Sequence, residues 1–211
     1  MKKSRKNESD GPESHDRAGR PVRADARRNI DAVLEAATSV FIVSGVDAPV
    51  REIAEGAGVG VGTVYRHFPT RADLIAAVFR HEVDACADAA PVLAAEHEPE
   101  DALRRWVERY VDFIRAKRGL GATLHSGSPA YGTLSDYFAQ RLRPALDGLL
   151  KSAAATGAVR AGVDPGELLW AVASLCSSQR DPDPATVRRM IALLLDGLRQ
   201  GADAPPRPHR Q

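Results

Sequence analysis

Arg51, Thr63, Arg66, His67 and Arg71 bring guanidinium groups and small polar donors together in one short stretch of a 211-residue chain. A guanidinium binds the O6 and N7 edge of guanine through paired N–H bonds, or grips a phosphate in the same way. The intervening residues indicate how such groups are presented. Ile53 and Ala54 supply one apolar face, Ala57 and Gly58 let the chain reverse, and Val59, Val64 and Phe68 give a second short helix its buried side. Two short helices around a glycine turn have the shape of a helix-turn-helix. The face left outward is Gly60, Val61, Thr63, Arg66 and His67, a small, partly cationic surface suited to a groove lined by base edges and phosphates. Arg71 adds its charge to the positive end of the following helix and is expected to clamp a phosphate.

Catalysis is poorly served by the same chain. Its six histidines are scattered, no glycine-rich phosphate loop follows a strand, and Ser126-Gly127-Ser128 lacks the strand-turn-helix setting of a nucleophile elbow. Asp181 and Asp183 flank prolines and have the look of turn residues. Cys86 and Cys176 fall on apolar helical faces with no cysteine or histidine at ligand spacing. No catalytic residue, metal or cofactor is therefore expected. Neither end carries an apolar run long enough for a signal peptide or membrane helix, so no membrane association and a cytoplasmic location are expected.

Helices must position these groups, because strand-like alternation is short whereas Ala, Leu, Arg and Glu recur at helical spacing. The fold class expected is all-α, with a small three-helix reader and a larger helical domain. The formal net charge of +1 hides an asymmetry: residues 1–28 hold nine Lys or Arg against five Asp or Glu. Residues 1–22 are too polar to offset the entropy of ordering and are expected to form a disordered basic arm. The reader is expected over residues 23–70. A first helix should begin near Ala24 with Ile30, Val33, Leu34, Ala37, Val40 and Phe41 on one face, ending at Ser44-Gly45. Pro49 should open the second.

Thr70 and Asp73 have capping-box spacing, which predicts a fourth helix from Arg71 toward Ala90, interrupted by Pro91. The second domain is expected over residues 71–200, with helices marked by Leu103, Trp106, Val107, Tyr110 and Ile114, and by Leu134, Phe138, Leu142, Ala145 and Leu149. Gly119 and Gly121 should break the first of these, and Pro144 should kink or split the second. Two more helices flank an Asp181-Pro182-Asp183-Pro184 turn, and residues 201–211 form a loose tail.

The run Thr63-Val64-Tyr65-Arg66-His67-Phe68-Pro69-Thr70-Arg71-Ala72-Asp73-Leu74, preceded by Arg51-Glu52-Ile53-Ala54, closely resembles the TetR family of bacterial transcriptional regulators, whose signature is T-x-Y-x-x-F before a polar helix start and a basic residue. The resemblance covers roughly residues 25–80; the remainder is similar in architecture and more weakly in sequence to one ligand-domain subgroup. It implies that Tyr65 and His67 bind backbone phosphates and that Gly62 lets the backbone approach DNA closely. The family often has Lys where this chain has Val61, so a charged reader is missing. Val61 can instead touch a thymine methyl, leaving sequence reading to Val61, Thr63 and Arg51.

The resemblance further implies a homodimer on a near-palindromic double-stranded DNA operator, acting as a repressor that a small-molecule inducer releases. Trp106, Tyr110, Phe113, Leu124, His125, Tyr131, Phe138 and Trp170 are the candidate lining of a mostly apolar inducer pocket. Leu168, Val172, Leu175, Val187, Met190, Ile191, Leu194, Leu195 and Leu198 form stripes wide enough to suggest the dimer interface. The rival reading is a helical small-molecule-binding protein or enzyme whose amino-terminal bundle has lost DNA binding.

Overall fold

The computed structural model describes residues 19–117, 131–176 and 183–199. Among these residues the chain is all-α, with no strand. Its helices are α1 (Gly19–Ser44), α2 (Val50–Gly56), α3 (Val61–His67), α4 (Arg71–Glu96), α5 (Pro99–Lys117), α6 (Leu134–Ala155), α7 (Pro165–Cys176) and α8 (Pro184–Arg199). Gly119, Gly121, Leu124, His125, Ser126 to Ala130, Asp181, Pro182, most of the expected arm and the tail after Gly201 lie outside the described residues.

The reader is built where α1, α2 and α3 meet. Val33, Leu34, Ala37 and Phe41 of α1 are buried, as the helical stripe predicts. Ile53 and Ala54 of α2 and Val64 of α3 close the same small core. Two left-handed glycines shape it: Gly45 at φ +78° ends α1, and Gly58 at φ +67° turns the chain between α2 and α3. Neither position would bring an added Cβ near another atom, so backbone conformation rather than crowding requires glycine there.

From the reader, α4 runs on as the spine of the larger domain, packing against α1, α5 and α6. Its start is the expected one: Thr70 Oγ1 accepts from the Asp73 N–H, and the Asp73 carboxylate accepts from the Thr70 N–H. The larger core centres on Trp106 and Tyr110, which are 0% and 1% exposed. The Trp106 indole N–H donates to the Cys86 carbonyl at 2.8 Å, and the Tyr110 hydroxyl donates to the Leu169 carbonyl at 3.2 Å. Burial pushes the Cys86 thiol up to about 12 and the Tyr110 phenol also upward, so both groups stay neutral packing elements.

Three boundaries differ from expectation. The first helix begins at Gly19, which removes residues 19–22 from the arm. Pro21 sits in the first turn, where a missing N–H has no helical partner to lose. The fourth helix passes through Pro91 to Glu96. Pro91 is exposed, and Val92, Leu93, Ala94 and Ala95 restore the helix beyond it, with Leu93 packed on the core. Pro144 likewise lies inside an unbroken α6, whose Leu142, Leu146, Leu149 and Leu150 are buried on either side of it. In both cases packing outweighs the loss of one backbone hydrogen bond.

Candidate nucleic-acid interface

Gly60 caps α3 in extended conformation, and its carbonyl accepts the Thr63 N–H at 2.8 Å. That start turns Val64 into the core at 1% exposure and leaves Val61 and Tyr65 outward at 37% and 51%. Gly60, Gly62, Arg66 and His67 are exposed on the same helix, and Thr63 is half-buried at its edge. An added Cβ at Gly60 or Gly62 would meet nothing within 4 Å. Neither residue is at positive φ; Gly60 suits its N-cap position, whereas the protein's own packing and backbone leave Gly62, inside α3, unexplained.

Arg51 stands on α2 beside this face and is held along the helix by Glu55, with Nε to Oε1 at 2.9 Å. The pair is wide open to water, and such a bridge is worth well under 1 kcal/mol, so it is easily exchanged for a polyanion.

Arg71, expected as a phosphate clamp, makes contacts within the chain. Its guanidinium donates to the carbonyls of Val46 and Ala48 and lies over the Phe41 ring at 5.9 Å. The side chain is half-buried and closes the α1–α2 loop onto the start of α4. The Val46 and Ala48 carbonyls lie in the loop, outside any helix, which is why an always-charged fork of donors fits there. Removing it with Arg71→Ala is expected to cost about 1.5–3 kcal/mol of stability, from charged hydrogen bonds lost to partly buried carbonyls. Urea denaturation of the full chain checks this; a change within 0.5 kcal/mol of zero, the usual range for a surface residue, contradicts the clasp.

In the larger domain the structure brings Trp106, Tyr110, Phe113 and Phe138 into one stack. Ring centroids lie 5.8 Å apart for Trp106 and Tyr110, 6.2 Å for Tyr110 and Phe113, and 6.1 Å for Tyr110 and Phe138. Tyr131 is also buried. Trp170 is not part of this group: it points outward at 74% exposure. An aromatic at helical spacing cannot by itself report which side of an amphipathic helix faces the core.

The stripes expected to form a dimer interface are also redistributed. Leu168, Val172, Val187, Ile191, Leu195 and Leu198 are all buried within the single chain, so they need no partner to cover them. Leu175 and Leu194 are half-buried and Met190 is 42% exposed. With Trp170 and with Leu193, which is 72% exposed and falls outside the expected stripe, they make the outward apolar side of α7 and α8.

Sequence reading missed a polar seam between α4 and α6. The Tyr137 hydroxyl and Arg141 Nε donate to Asp84 at 2.7 and 2.6 Å, and Arg141 also reaches Asp88 at 2.8 Å. The signal was present as matching four-residue spacing, with Arg80, Asp84 and Asp88 on one helix and Thr133, Tyr137 and Arg141 on the other.

Residues 33–78 match the family described as bacterial regulatory proteins, tetR family, and residues 98–200 match the C-terminal domain of SbtR-like transcriptional regulators. The solved TetR transcriptional regulator SCO0520 from Streptomyces coelicolor is 38% identical, with a TM-score of 0.67 over 80% of this chain and 97% of that one. The TetR-like regulator LfrR from Mycobacterium smegmatis, solved in complex with proflavine, is 26% identical with a TM-score of 0.53, covering 87% of this chain and 99% of its own. An HTH-type transcriptional regulator of Staphylococcus aureus (strain USA300) is 36% identical over 64 residues, 30% of this chain and about a third of the relative's length, at 35%. The amino-terminal match falls on the reader and the carboxy-terminal match on the helices that pack beyond it. The chain belongs to the TetR family of bacterial transcriptional regulators.

Proposed function

We propose that this regulator is a homodimeric repressor that lays α3 in the major groove of a near-palindromic operator and is released by a mostly apolar small molecule. The observation that carries the reading is the outer face of α3: exposed Val61, Tyr65, Arg66 and His67 around Gly60 and Gly62, of which Gly62 has no role in the protein's own packing or backbone. A groove wall pressed against Gly60 and Gly62 supplies the missing reason. Val61 would meet a thymine methyl and Thr63 a base edge, Tyr65, Arg66 and His67 would bind phosphates, and Arg51 would read guanine or grip the backbone. Arg71 serves this surface from behind, by fixing the loop that leads into α2.

The outward apolar side of α7 and α8 supports the dimer, since two copies meeting there would remove Trp170, Met190 and Leu193 from water and set two recognition helices about 34–36 Å apart. Release by a ligand is supported by the ring stack around Tyr110 and by the proflavine held in LfrR, a relative of the same architecture. Among the described residues no helix is long and apolar enough to cross a membrane, which agrees with a target in the cytoplasm.

Gly62→Ala separates this function from mere folding. Alanine finds open space and a helical backbone, so the protein should gain up to about 1 kcal/mol of stability. Operator affinity should nevertheless fall about tenfold, or ~1.4 kcal/mol, because the new methyl stands where the groove wall must come. Thermal denaturation and fluorescence anisotropy on the same samples measure both; unchanged affinity would sink the proposed placement of α3.

A further inference from the structure

Arg80 lines a cleft of about 550 Å³ between the end of the reader and the larger domain, with the Asp73 carboxylate at the cleft's other end. Its guanidinium makes one long hydrogen bond, 3.4 Å to the Thr133 hydroxyl, and lies over the Tyr137 ring at 6.0 Å. Two carboxylates stand near it along α4, and both are committed elsewhere. Asp84, one turn on, accepts from Tyr137 and Arg141. Asp73, lining the far end of the cleft, accepts from the Thr70 N–H and hydroxyl in the capping box. Among the described residues Arg80 has no carboxylate partner within ion-pair distance, although it is half-buried.

Between the two ends the surface is mixed: half-buried Phe68 from the reader and Pro69 supply its apolar part, with His67, Thr133 and the two charged ends around them and Ala76 of α4 buried beneath. Asp73 and Arg80 are seven residues apart on one helix, which spans about 10 Å. That length matches a single-ring molecule bearing one anionic group. We propose that this cleft is an effector site, separate from the aromatic core, for a small carboxylate with a flat apolar body. The carboxylate pairs with Arg80 and takes the Thr133 hydroxyl, the ring lies on Phe68 and Pro69, and the far edge meets His67. DNA phosphates do not serve as the occupant, since Arg80 lies about 13 Å along α4 from Arg71, away from the reading face. Because the cleft joins α3, α4 and α6, an occupant would tie the reader's last turn to the larger domain.

Benzoate and its neutral isostere benzamide test the site by calorimetric titration of the full-length, DNA-free protein. The result expected is binding of benzoate at least tenfold tighter than benzamide. Arg80→Gln should abolish that preference, and Arg80→Lys should keep part of it by keeping the charge. Arg104→Gln, on a different surface, should leave the preference intact. Equal binding of the two compounds, absence of benzoate binding, or a preference that survives Arg80→Gln overturns the proposal. The wild-type comparison needs no variant to fold, and because no DNA is present its failure leaves the reading of α3 untouched.

Discussion

Leu193→Glu is expected to turn the regulator into a monomer and to lower operator affinity by about 100-fold or more, since two half-sites would no longer be engaged together. Leu193 is 72% exposed in the single chain, and Trp170 and Met190 are exposed at 74% and 42% on the same pair of helices. A carboxylate at that position is harmless to a lone protomer but costs several kcal/mol if a partner must bury it unpaired. The protomer should therefore keep its helical circular dichroism while light scattering reports half the mass. Leu195→Glu, two residues on, should behave differently: Leu195 is 6% exposed and packs inside the chain, so its substitution should unfold the protomer itself. If Leu193→Glu stays dimeric, the interface lies elsewhere.

Trp106→Ala should be the most destabilising single truncation in the larger domain, at about 3–5 kcal/mol, the range for removing a buried aromatic. Trp106 is fully buried, stacks on Tyr110 with centroids 5.8 Å apart, and ties α5 to α4 through the Cys86 carbonyl. Urea denaturation measures the loss, and alkylation of Cys86 gives a second reading. The thiol is held at about 12 by burial and is inert in the intact fold; a cavity beside it should let its ordinary reactivity return. A loss below about 1 kcal/mol with Cys86 still protected would mean the ring stack is not the centre of this core.

The reader was legible because its constraints are local. A glycine turn, a buried valine six residues beyond it and a capping box each act within one or two helical turns, and Gly58, Val64 and Thr70 take the places their spacing predicts. The loop contacts of Arg71 were not legible because its type and position at a helix start suit a phosphate equally well as two loop carbonyls. Only the tertiary approach of the α1–α2 loop decides between them. The same holds for the last two helices: periodicity shows an apolar stripe, but a stripe covered by α5 and one awaiting a second copy have the same spacing. Leu193 fell outside the stripe because it points away from its own core. At Pro91 and Pro144, helix formers on both sides and core contacts outweigh the breaker that sequence alone emphasises.

The central claim, that α3 reads duplex DNA, is tested most directly by selecting bound duplexes from a random pool and titrating the winner by fluorescence anisotropy at about 50 and 200 mM salt. An enriched inverted repeat is expected, with an affinity that falls steeply with salt, by about 10³ or more if six or more phosphates are neutralised. A pool that shows no enrichment, together with binding indifferent to salt, would contradict it.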